Sequence, residues 1–187
     1  MDLNGGSIFF LMYILSTLQN SIYSTNIITH YKYKLLKSRA KYILSEVISI
    51  SPADSYQRIQ DDPRSLLIDV RSSMEFLFVG HPTGAIHIPW IDEPDWNINP
   101  DFTVEVRKRL LGGVHGNSGS ASEQGGAPII LVCRSGKRSV EAGKRLLADG
   151  FKQVFSINEG FEGELNSKHQ RSSIGGWRFR GLPWEQC

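Results

Sequence analysis

The tightest constraint on what this chain can fold into is Pro128-Ile129-Ile130-Leu131-Val132, followed at once by Cys133-Arg134-Ser135-Gly136-Lys137-Arg138-Ser139 and then by Val140-Glu141-Ala142-Gly143-Lys144-Arg145-Leu146-Leu147. A short apolar run of this kind reads as a buried strand, and the stretch after the polar loop reads as a helix. A cysteine at the strand's end lies where loop N–H groups and the positive end of the helix converge, an arrangement that favours anions. Arg134, Lys137 and Arg138 place three cations within five residues of the sulfur, which favours the thiolate and attracts an anionic substrate. The expectation is an accessible, nucleophilic thiol in an anion-binding cradle. The plainer alternative is an inert, buried strand-end thiol beside a solvated helix start.

The same kind of reading places further elements. Val47 to Ile50 reads as a short strand, and Ser51-Pro52 supplies an N-cap and first helical residue for a helix over Ala53 to Gln60. Ser65 to Arg71 reads as a buried strand, Ser73 to Phe78 as a helical turn, and Ala85 to Pro89 as another short strand. Phe102, Val106 and Leu110 recur at helical spacing before Gly112-Gly113, and Gln153 to Ile157 reads as a fifth strand. Trp177 to Trp184 offers aromatic packing ahead of a free C-terminus. Strands alternating with helices predict an α/β fold, a largely parallel five-stranded sheet with helices on both faces.

Composition enters mainly as exclusion. At 187 residues and 40% hydrophobic the chain suits one domain, residues 46–187, with a Gly/Ser-rich flexible insertion at 114–127. Residues 1–45 hold no acid between Leu3 and Ser45 and read as a loosely ordered extension. Its apolar stretch from Ile8 to Leu18 is too short and interrupted for a membrane span, and its cations follow the stretch, against the order in a signal peptide. Attachment of this stretch to a membrane is the weaker alternative to a cytoplasmic protein. Lys and Arg number 21 against 19 Asp and Glu, which gives no case for nucleic acid as a partner. Only two cysteines occur, Cys133 and Cys187, without ligand spacing, so neither metal, cofactor nor disulfide framework is expected. A working thiol suits a reducing compartment.

Four motifs in order carry a resemblance: Leu66-Leu67-Ile68-Asp69-Val70-Arg71 with Glu75-Phe76; Gly80-His81 leading to Gly84-Ala85-Ile86-His87-Ile88-Pro89; the Cys133 loop; and Gly175-Gly176-Trp177 with Gly181-Leu182-Pro183. Together they resemble the rhodanese superfamily of sulfurtransferases from about Val47 to Trp184. The resemblance implies a rhodanese-like fold in which Cys133 takes a sulfane sulfur from a small anionic donor and passes it, through a persulfide, to a thiol or cyanide-like acceptor. It implies that Arg134, Ser135, Gly136, Lys137, Arg138 and Ser139 bind the substrate, with Asp69, Arg71 and Glu75 in support. Some two-domain thiosulfate enzymes carry arginine where Glu75 stands, which turns the expectation from thiosulfate toward a persulfide or polysulfide donor. Asp69, Arg71, His81 and His87 are read first as structural residues.

Rival readings are separable. A phosphatase of related architecture needs one more residue between cysteine and arginine than the four that separate Cys133 from Arg138, to ring a phosphate's three oxygens. Arsenate reduction has nothing that singles it out. A non-catalytic partner-binding or redox-sensing module is opposed by the retained cysteine. From Glu75, one helical turn beyond the strand end, a bidentate pair with Arg138 is expected.

Overall fold

The computed structural model describes residues 46–112 and 126–186. Three four-residue strands make its centre: β2 (Leu66–Asp69), β5 (Ile129–Val132) and β6 (Val154–Ile157), with β1 (Ile48–Ile50) and β4 (Ile86–His87) at the edges. β3 (His81–Pro82) and β7 (Trp184–Glu185) stand apart from this sheet. The order is β1-β6-β5-β2-β4, and every pairing is parallel. β2 and β5 run in register from Leu66 opposite Ile129 to Asp69 opposite Val132. Their C-terminal ends therefore meet on one edge, where sheets of this kind place ligands.

The central strands are apolar at successive positions because both faces are covered. Ile68, Ile129, Leu131, Cys133 and Val154 turn to one face, where they pack with Phe102 and Val106 of α2 (Phe102–Gly112) and Ala142 and Leu146 of α3 (Lys137–Ala148). Leu67, Ile130, Val132, Phe155 and Ile157 turn to the other. There they meet Tyr56 and Ile59 of α1 (Pro52–Asp61), together with Phe161, Trp177 and Leu182 from the C-terminal segment. The fold is the α/β arrangement anticipated, with helices on both faces. α1 starts as read: Pro52 opens it, and the Ser51 hydroxyl accepts the Asp54 N–H at 3.1 Å.

Two features differ from the expectation. The turn after β2 passes into a π-helical turn at Glu75–Val79. The C-terminal residues are not free, since β7 pairs antiparallel with β3, placing Glu185 opposite His81 and Trp184 opposite Pro82. Strands of two residues have no periodicity for a sequence to display. The extension at 1–45, positions 114–125 of the insertion and Cys187 lie outside the described residues. Among the described residues no helix is long and apolar enough to cross a membrane.

Candidate active site

Cys133 follows β5 directly and begins the loop that opens α3. The Gly136 N–H donates to its Sγ at 3.2 Å, and the Ser139 hydroxyl lies 3.4 Å from the same sulfur. Gly136 turns the chain with a φ of 90°, and a Cβ there would collide with the carbonyl of Asn158. Glycine is thus demanded twice, by conformation and by space. No side chain caps the helix at Gly136, which leaves its first N–H groups to serve the loop or whatever the loop binds.

The segment after β6 ties the loop from behind. Phe161 N–H donates to the Cys133 carbonyl at 2.7 Å and Glu162 N–H to that of Arg134 at 3.0 Å. Gly160 passes so close that a Cβ on it would strike the carbonyls of Cys133 and Arg134. Trp177 N–H in turn holds the Gly160 carbonyl at 2.9 Å.

One sequence expectation needs correction. Cys133 is only 1% exposed, not an openly accessible thiol. The cause is the strand alternation: Cys133 continues the set Ile129 and Leu131, so its side chain points into the face that α3 covers. The three cations all stand near carboxylates. Arg138 donates to Glu75 through two bonds of 2.7 Å, Arg134 Nε lies 3.7 Å from Glu75 Oε1, and Lys137 Nζ lies 3.4 Å from Glu164 Oε1. Much of the positive field around the sulfur is met by carboxylates.

The Glu75–Arg138 fork is the bidentate pair foreseen from the sequence. Burial alone pushes the Glu75 carboxyl up, but the hydrogen bonds and charge of Arg138, with the Ser72 N–H and the charge of Arg134, together outweigh it and hold the carboxyl below its ordinary range. Burial likewise works against the charge on Arg138, and the bonds to Glu75, together with the negative charges of Glu75 and Asp69 nearby, more than restore it. Ser135 is half-buried and has no hydrogen bond to the sulfur among those of the described residues.

Asp69 and Arg71 are brought together at the end of β2, where Asp69 lies opposite Val132. Both side chains are fully buried, and the guanidinium donates to the carboxylate from Nε at 2.9 Å and Nη2 at 2.6 Å. Nη2 also reaches the Gly80 carbonyl at 2.6 Å, and the guanidinium carbon sits 4.3 Å over the ring of Phe161. Arg71 thus braces the segment that ties the Cys133 loop. His81 stacks on Phe76 at 3.6 Å with Nδ1 against the Phe76 carbonyl, and His87 Nε2 is 2.9 Å from the Arg71 carbonyl. Both histidines have the structural role read first for them.

Two participants were missed in the sequence. Ser156 is fully buried on β6, its Oγ 2.8 Å from Ser139 Oγ, and Glu162 brings Oε1 to 4.0 Å from Arg71 Nη1. The available signal for Ser156 was a hydroxyl between Phe155 and Ile157 in an otherwise apolar strand, since buried polar groups require partners. The arrangement as a whole directs one N–H at a sulfur at a helix start and sets a hydroxyl 3.4 Å from it, which suits negative charge on sulfur.

Comparison with known proteins gives the same picture. The solved structure of Rv0390 from M. tuberculosis matches with a TM-score of 0.63 at 30% identity, over 76% of this chain and 99% of that one. A rhodanese domain-containing protein of Drosophila melanogaster, CG4456, is 32% identical over 123 residues, 64% of this chain and 98% of its own length. Thiosulfate sulfurtransferase 16, chloroplastic, of Arabidopsis thaliana is 31% identical over 118 residues, 62% of this chain and 76% of its own. The pattern of the rhodanese-like domain runs over residues 51–166. It takes in β2 to β6, the cysteine loop and the Gly160–Glu162 stretch behind it, and the chain belongs to the rhodanese family.

Proposed function

We propose that the protein is a sulfurtransferase that carries sulfane sulfur on Cys133. The observation that carries this reading is the Gly136 N–H held 3.2 Å from Cys133 Sγ in a loop at a helix start, because a donor so placed stabilises negative charge on sulfur without reorganising. In the first step the thiol proton has passed to solvent, and the thiolate attacks the outer sulfur of the donor. A new S–S bond forms to Cys133, the donor's own S–S bond breaks, and its electron pair leaves with the remnant. That remnant is sulfite from thiosulfate or a thiolate from a persulfide. In the second step a thiolate or cyanide attacks the outer sulfur of the Cys133 persulfide, and the electron pair returns to Cys133.

The charges bear on the donor. Glu75 occupies both forks of Arg138, so the loop offers less unopposed positive charge to dianionic thiosulfate than its cations suggest. A persulfide, with at most one negative charge on its sulfur chain, or an organic polysulfide is the better match, although the Arabidopsis thaliana relative bears the name of a thiosulfate enzyme.

Incubation with a persulfide or with thiosulfate should add one sulfur atom to the intact mass, and cyanide should then remove it as thiocyanate. Cys133→Ser should abolish the uptake, while Cys187→Ser should retain most of it. No uptake from either donor would refute the reading, and loss of uptake with Cys187→Ser alone would move the nucleophile.

A further inference from the structure

Ser139 and Ser156 form a buried pair of hydroxyls beside the sulfur, both side chains out of solvent. Ser139 Oγ has three neighbours: the Gly136 carbonyl at 3.1 Å, Ser156 Oγ at 2.8 Å and Cys133 Sγ at 3.4 Å. A serine hydroxyl has one proton to give and two lone pairs to receive. With Cys133 a thiol, the count closes one way. Ser139 gives its proton to the Gly136 carbonyl, which can only accept, and receives from Cys133 S–H and Ser156 O–H. With Cys133 a thiolate, the sulfur can only accept, and Ser139 turns its proton to the sulfur. In both states the proton of Ser139 is committed elsewhere, so the contact with Ser156 is closed only by the proton of Ser156.

We infer that Ser156 is a positioning residue for Cys133: its hydroxyl donates to Ser139 in both states, so that Ser139 can turn its own proton onto the thiolate. A hydroxyl that accepts a hydrogen bond becomes a better donor, and chains of such bonds strengthen one another away from water. Without Ser156, Ser139 keeps an unmet lone pair in the core and polarises less toward the sulfur. The charged groups around the site are Arg138 and Lys137 at the start of α3, Glu75 on the π-helical turn, Arg134 in the loop, Glu164 opposite Lys137, the Asp69–Arg71 pair at the end of β2 and Glu162 beside Arg71. Ser156 is bonded to none of them, so its removal leaves that charge set in place. The inference rests on Cys133 being the sulfur-carrying thiol only for its use in catalysis.

Alkylation by iodoacetamide, which needs no sulfur donor, separates the two readings. In a Cys187→Ser background the alkylation rate of Cys133 is followed against pH for the parent, Ser156→Ala, Ser139→Ala and the double variant. Ser156→Ala should move the profile to higher pH, with the rate on its rising limb roughly three- to tenfold below the parent, the effect of about one hydrogen bond. In the Ser139→Ala background the same substitution should move it no further, because Ser156 acts through Ser139. An unmoved profile, or an equal shift in both backgrounds, overturns the inference. The S–H stretching band of the parent needs no core substitution: a hydrogen-bonded thiol band is expected, and a free-thiol band would overturn the proton count.

Discussion

Asp69–Arg71 and Glu75–Arg138 are both two-pronged arginine–carboxylate pairs, and both lie near the loop that starts at Cys133. The first closes between residues two apart at the end of one strand, with neither side chain exposed. The second joins residues 63 apart on different elements, with side chains 23% and 16% exposed. The buried pair also holds Gly80 and packs on Phe161, the residue whose N–H grips the Cys133 carbonyl. The other holds the first turn of α3 to the π-helical turn. Similar chemistry therefore serves two ends: depth makes one pair part of the frame, and span makes the other a clasp on the loop.

The sharpest way to break this distinction is to remove one partner from the buried pair. Arg71→Met leaves Asp69 without its cation at a site fully shut from water, which should cost about 3–5 kcal/mol of stability in chemical denaturation. A loss no larger than that of Arg138→Gln would erase the contrast between frame and clasp.

A smaller effect, on turnover, is expected from the clasp. Glu75→Gln and Arg138→Gln should each slow sulfur transfer, because either removes the fork that fixes the start of α3. The double variant should cost less than the sum of the two, with a coupling of about 0.5–3 kcal/mol in the double-mutant cycle. Strict additivity would recast Arg138 as a direct ligand of the donor, independent of Glu75.

The clasp was legible in the sequence because both of its anchors are local. Glu75 follows β2 by one helical turn, Arg138 starts α3, and β2 and β5 are neighbours in register. The strand–loop–helix unit and the Ser51 cap were legible for the same reason, being written within one continuous stretch of chain each, Ile129–Ala148 and Ser51–Asp61. What escaped depends on contacts distant in the chain. Glu164, opposite Lys137, comes from beyond β6, and no local pattern links it to the loop. Alternation put Cys133 on one face of β5, but which helix covers that face is decided by topology. The β3–β7 pair carries too few residues to announce itself, and Ser156 matters only once β6 is placed beside α3.

The least of the expected effects is also the one that follows protonation of the clasp. Glu75 is held below its ordinary range because, against the cost of burial, Arg138 bonds its charged form. A carboxylate depressed by folding contributes stability that is present above its unfolded value, about 4.3 for glutamate, and is lost as pH falls through the lower folded value. At neutral pH the parent should accordingly be the more stable of the parent and Glu75→Gln. As the pH falls through that lower folded value the glutamate of the parent takes up its proton, gives up the charged fork to Arg138, and comes to resemble the glutamine that replaces it. The two denaturation midpoints should therefore converge on acidification, modestly, because both side chains retain some access to water. A gap between them that holds constant or widens as the pH falls would mean that Glu75 stabilises the fold by its shape and packing, and that the clasp is not an ionic one.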